Sequence, residues 1–176
     1  DALLDAKLNI KWRCNTRVNL VPPPLLEKMR RAGCYVINFG VESGHPAILK
    51  TIQKETKIED VYDAHKRCRQ LGIRTYATFL VGSPGETEET VKATINVARG
   101  IRPNLAMFFV NTAYPGTPLY DQALAEGYVE PRWWATQNWD PRKNSAFQAR
   151  WGWTSKGALK IPGFDSEYWQ RKATRS

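Results

Sequence analysis

Four short apolar runs, each followed by a polar turn and then a helical stretch, constrain the fold of this chain more than any other feature. The runs are KLNIKWR at 7–13, YVINFG at 35–40, TYATFLVG at 75–82 and LAMFFV at 105–110. Helices fit between them. Pro22, Pro23 and Pro24 open one whose apolar face is Leu25, Leu26 and Met29, and Gly33 stops it. Pro46 opens AILKTIQK. Over 58–71, Ile58, Val61, Cys68 and Leu71 recur at helical spacing, with His65 on the same side and Gly72 at the end. Thr87 caps the next helix, Glu88 and Glu89 suit its first turn, and Val91, Ile95 and Ala98 form its buried face. TPLYDQALAEG reads as a further helix closed by Gly127. Nearly continuous apolar strands alternating with amphipathic helices predict an α/β fold with a parallel sheet.

In such folds the chemistry gathers where strands end in loops. The loops after the four runs are CNTRVN from Cys14, GVESG from Gly40, GSPGET from Gly82 and NTAYPGTP from Asn111. They are rich in Gly, Pro and small polar residues, and their charges are Arg17, Glu42 and Glu86. Glycine lets backbone N–H groups come close to a ligand. A guanidinium grips a carboxylate bidentately, and a carboxylate accepts from an ammonium or a diol. A zwitterionic ligand bearing hydroxyls fits that set. A second account stays open for Glu42: a salt bridge to Arg17, with Ser43 as the N-cap of the following helix.

Charge and aromatic content divide the chain. Residues 131–176 hold nine Lys/Arg against three Asp/Glu and six of the seven tryptophans. We read residues 1–128 as one unit and 129–176 as a C-terminal extension, with SEYWQRKATR as the start of a terminal helix. The tryptophans are expected to fold the extension back over the mouth formed by the strand ends. The three cysteines, Cys14, Cys34 and Cys68, are separated by 20 and 34 positions. This spacing suits neither a disulfide framework nor a local metal loop, and it predicts free thiols in a reducing compartment, the cytoplasm.

The segments NTRVN, FGVESG, FLVGSPGETEET and YPGTPLY, in this order and spacing, resemble the second half of the barrel of radical S-adenosylmethionine (SAM) enzymes, in the class that often carries an N-terminal cobalamin-binding domain. The resemblance covers about residues 8–128. It implies the last four or so βα units of a partial (β/α)6 TIM-like barrel. It also implies reductive cleavage of SAM at a 4Fe–4S cluster, giving a 5′-deoxyadenosyl radical or a methyl transfer, on a small-molecule substrate of apolar character. By the same resemblance Glu42 contacts the ribose or methionyl part of SAM, with Ser43 beside it, and Arg17 its carboxylate. Gly82, Pro84 and Gly85 lie near the adenine and ribose, and Asn111 to Pro115 close over the adenine. The family's CxxxCxxC loop is absent from this sequence, so the chain is expected to be a fragment that holds no cluster and is inactive alone. Cobalamin would bind through a domain preceding Asp1.

Two other functions remain as alternatives. The glycines of SPGETEET before a helix start would suit an unrelated phosphate-binding barrel. The basic, Trp-rich extension would suit a module for nucleic acid or an anionic membrane surface. No nucleic-acid recognition motif occurs, so nucleic acid is not an expected partner, whereas peripheral membrane contact is a live expectation for an enzyme of apolar substrates. Oligomeric state leaves no trace in the sequence.

Overall fold

The computed structural model describes residues 1–132 and 159–175. Its frame is a four-stranded parallel sheet in chain order: β1 (Trp12–Thr16), β2 (Cys34–Glu42), β3 (Arg74–Val81) and β4 (Leu105–Val110). A short helix α1 (Ala2–Asp5) precedes it, and a 3₁₀ turn (Val18–Leu20) follows β1. The crossovers are α2 (Pro23–Arg31) from β1 to β2, α3 (Pro46–Thr51) with α4 (Ile58–Gln70) from β2 to β3, and α5 (Glu88–Ile101) from β3 to β4. After β4 come α6 (Pro118–Ala125) and α7 (Ser166–Thr174). This is the expected α/β architecture, a parallel sheet of a partial TIM-like barrel.

Sequence period explains which face is covered. Ile37, Phe39 and Val41 of β2, Ala77, Phe79 and Val81 of β3, and Phe108 of β4 are buried in one core with Leu26, Val61, Cys68, Val91 and Ile95 from the helices. Phe79 and Phe108 stack at 4.9 Å between ring centroids. Their alternate neighbours Asn38, Tyr76, Thr78, Leu80 and Met107 are half-buried on the opposite face. There Thr78 Oγ1 donates to Asn38 Oδ1 at 3.1 Å. Helices therefore layer one face, and the other is the concave side of the sheet.

Three differences from the sequence reading have physical causes. The first run was expected at 7–13, but β1 begins at Trp12, where it first pairs with Cys34. Leu8 and Ile10 remain 53% and 42% exposed, because they alternate without a partner strand. β2 continues past Gly40 to Glu42 through a register shift between Gly40 and Glu42, which leaves Val41 as an extra residue against β3. Finally, α7 lies along β4 and α5. Trp169 and Ala173 are buried in the main core, and Gln170 Nε2 donates to Phe108 O at 2.9 Å. Trp169 thus packs on the helix side of the sheet, not over the mouth. The other five tryptophans of the extension lie outside the described residues.

Candidate functional site at the strand ends

The bulge in β2 sets the first element of the site. Glu42 has φ +68°, a left-handed conformation that costs a non-glycine residue about 1–2 kcal/mol. Bulges of this kind re-aim side chains beside functional sites. Here the carboxylate folds back over Gly40. A Cβ on Gly40 would sit 2.5 Å from Glu42 Oε1 and 3.2 Å from Lys54 Nζ. Gly40 is thus the space that holds a part-buried ion pair, Lys54 Nζ to Glu42 Oε1 at 3.2 Å. The alternative partner proposed from sequence, Arg17, is replaced by Lys54. Arg17 is exposed and leads the 3₁₀ turn in an extended conformation.

The next two residues anchor the loop. Ser43 is fully buried; its Oγ accepts from His45 N at 3.1 Å and shares a hydrogen bond with Thr94 Oγ1 at 3.2 Å. Gly44 N donates to the same Thr94 Oγ1 at 2.9 Å. A Cβ on Gly44 would stand 2.6 Å from Thr94 Cα and 2.8 Å from Ala93 O, so only glycine lets β2's loop lie against α5. The N-cap of α3 is His45 without a side-chain cap, not Ser43, because the Ser43 hydroxyl is turned toward α5.

Two glycines and a carboxylate shape the third strand end. Glu86 Oε2 accepts from Gly82 N and from Ser83 N, the latter at 3.0 Å. The side chain is 4% exposed, and its Oε1 has no hydrogen-bond partner among the described residues. Burial pushes the Glu86 carboxyl above the ordinary range, against the two backbone donors. From sequence Glu86 counted as a charge at the mouth; the structure makes it the lock of the Gly82–Gly85 turn. Pro84 is buried and Gly85 exposed, with φ +78° and open space around it. Two N–H donors of the turn are thus taken by Glu86, and at the helix start Thr87 and Thr90 cap each other reciprocally beside Glu88 and Glu89. Glu86, Glu88 and Glu89 crowd this loop with carboxylates, which disfavours the phosphate-binding alternative.

The fourth strand end is tied to the third. Asn111 is buried and its Nδ2 donates to Ser83 Oγ at 3.2 Å. Pro115 is exposed in the turn that follows. The loop after β1 is tied to the loop after α3, since Asn19 Nδ2 donates to Glu55 O at 3.2 Å, next to Lys54. Sequence reasoning did not single out Lys54. It sits in the loop after α3, and only the bulge brings it to Glu42. A groove of about 800 Å³ runs beside this loop, with Leu49, Lys54 and Glu59 on its wall.

The thiols answer whether this chain holds an iron–sulfur cluster. Distant in sequence, they meet beneath β1 and β2. Cys14 and Cys34 lie within hydrogen-bonding reach, and Cys68 feels both. Burial pushes Cys34 up to about 11 and Cys68 up to about 12. All three are free, and they belong to the helix side of the sheet, as core residues or packed against it. Cluster ligands come in close local spacing, whereas these cysteines lie 20 and 34 positions apart and Cys34 and Cys68 are fully buried in the core, so they do not fit that role. No group among the described residues could hold a metal ion. His65 is likewise a core residue: its Nδ1 lies 2.8 Å from Val61 O, and burial lowers its pKa. No described helix is long and apolar enough to cross a membrane.

Comparison with known proteins agrees with this architecture. An uncharacterised methyltransferase of Pyrococcus horikoshii is 35% identical over 132 residues, which is 75% of this chain and 28% of that protein. An anaerobic magnesium-protoporphyrin IX monomethyl ester cyclase of Cereibacter sphaeroides is 36% identical over 115 residues, 64% of this chain and 19% of that protein. The chain therefore spans less than a third of the length of these curated relatives. Among solved structures, the radical S-adenosylmethionine methyltransferase TsrM of Kitasatospora setae shares the fold at a TM-score of 0.59 and 24% identity, over 65% of this chain and 23% of that one. The profile of the radical SAM superfamily matches residues 2–98, more than half of the chain, and the chain belongs to that superfamily.

Proposed function

We propose that this chain builds the S-adenosylmethionine side of the pocket in a radical SAM enzyme. The observation that carries the reading is the Glu42 bulge: a part-buried carboxylate with φ +68°, held over Gly40 beside Lys54 at a strand end. Glu42 accepts from the ribose or ammonium of SAM, and Arg17 reaches its carboxylate. The backbone around Gly82, Pro84 and Gly85, with Asn111 and Pro115, borders the adenine. Ser43 contributes by fixing the loop through Thr94. When bound elsewhere in the enzyme, the 4Fe–4S cluster supplies the electron for SAM cleavage; this chain's cysteines do not ligate it. Relatives named for methyl transfer and for cyclisation favour a small-molecule substrate. The TsrM structure of Kitasatospora setae with cobalamin and a 4Fe–4S cluster bound supports cobalamin as a second cofactor, held by residues other than these. Free thiols suit a reducing compartment such as the cytoplasm.

Titration calorimetry with SAM tests the pocket. Glu42→Gln removes a charge-assisted acceptor, which is worth about 1.5–3 kcal/mol, so affinity should fall roughly tenfold or more. Equal affinity in the variant, or no binding of SAM by the unaltered protein, would overturn the reading.

A further inference from the structure

The helices α2, α4 and α5 end on one side of the molecule, where the strands begin, and each carries arginine in its last turn. The last turn of α2 carries Lys28, Arg30 and Arg31, that of α4 Arg67 and Arg69, and that of α5 Arg99. Arg74 opens β3 and Arg102 follows α5. No Asp or Glu occurs in residues 28–41, 64–85 or 90–120, so acidic residues from these stretches do not dilute this floor. The acidic residues nearest in sequence are Glu27 and Asp63, one helical turn before Arg31 and Arg67, and neither makes an ion pair with them among the described residues; Lys28 takes Asp1 at 2.9 Å.

Part of this cluster has a structural role. Arg30 Nε donates to Leu71 O at 3.0 Å, and Arg69 Nη2 to Ile101 O at 2.6 Å. Each helix thus caps the carbonyls of the next, and these contacts hold the three ends side by side. Helix dipoles account for a cation in each last turn. Neither effect needs Arg31, Arg67 and Arg102 as well. All three are exposed, and among the described residues none makes an ion pair. Packed helices lie about 8–10 Å apart, so the floor spans about 20 Å. Duplex nucleic acid presents one charge per about 1.7 Å of axis, enough to meet each guanidinium. Arginine matches phosphate bidentately. The last turns of α2, α4 and α5 hold no exposed large apolar side chain, which a lipid-seeking surface would use.

We infer that the arginine floor of α2, α4 and α5 is a docking surface for the phosphodiester backbone of a nucleic acid, read without sequence preference. The inference does not depend on the SAM pocket at the opposite end of the strands. The sequence gives little warning of it, because the arginines come from three separate segments.

The test is fluorescence anisotropy of a labelled RNA duplex of about 20 base pairs against the whole chain, titrated across salt. Five contacts, from Arg31, Arg67, Arg74, Arg99 and Arg102, give a log–log salt slope of about −4.5, a loss of about 500-fold in affinity from 50 to 200 mM. The triple variant Arg31→Gln, Arg67→Gln, Arg99→Gln should bring the slope to about −1.8, with Arg→Lys at the same positions retaining most of the slope. The single variant Arg31→Gln, the mildest for folding, should lower the slope by about one. Reversal of Arg142 and Lys143 in the extension should leave it unchanged. Absent binding, a slope unmoved by the glutamines, loss on altering the extension instead, or binding to vesicles of phosphatidylserine in preference to RNA would each overturn the inference.

Discussion

Glu86 concentrates the residue-scale argument. Its Oε2 holds the Gly82–Ser83 turn while Oε1 is buried without a partner among the described residues. Burial is the largest influence on it and raises its pKa above that of a free glutamate. Between the unfolded value, about 4.3, and the raised folded value, the folded state binds more protons than the unfolded state. Stability from this group is then complete below the unfolded value and is lost as pH rises through the folded one. Glu86→Gln keeps an oxygen for the two N–H donors and removes the ionisation. Urea unfolding of both proteins should show the variant gaining on the parent as pH rises across that window. A carboxyl-carbon NMR titration of Glu86 with its midpoint at or below the free-glutamate value would refute the assignment.

At the scale of elements, α5 connects the strand ends. Thr87 Oγ1 accepts from Thr90 N at 3.4 Å and Thr90 Oγ1 from Thr87 N at 3.0 Å. The same helix carries Thr94, which holds Gly44 N and Ser43. Thr87→Ala should cost about 1 kcal/mol by urea unfolding, and the amide of Gly44 should exchange faster, because fraying of the first turn reaches Thr94. Unchanged Gly44 exchange would show that α5's start and the β2 loop are uncoupled. Elements like α5 were legible because their signals are local: Thr87, two glutamates, an apolar period. β4 was read with its observed limits for the same reason. The β2 bulge was not legible, because Val41 and Glu42 continue the strand's composition, and the extra residue exists only against β3. Lys54 was hidden with it, and the meeting of Cys14, Cys34 and Cys68 depends on strand register and crossover, which no single segment encodes.

For the molecule as a whole, one sheet face must be sealed by helices, and chain order alone gives β4 no helix of its own crossover. α6 instead gathers Ala113, Tyr120, Ala123, Val129 and Leu159 into a second small core. The position on β4 is filled from further along the chain by α7, whose Trp169 and Ala173 complete the main core. Asp165 Oδ1 starts that helix by accepting from Tyr168 N at 2.8 Å. Ser166 comes against Gly82, where a Cβ would collide with its side chain, so the helix begins at the strand ends that carry the candidate site. If α7 closes the sheet in this way, Trp169 belongs with large core side chains and not with surface aromatics. Trp169→Ala should cost about 3–5 kcal/mol, a large share of the roughly 5–15 kcal/mol that holds a domain folded. Urea unfolding measures it. A cost below about 1 kcal/mol, as for a surface substitution, would mean that α7 does not cover β4 in solution.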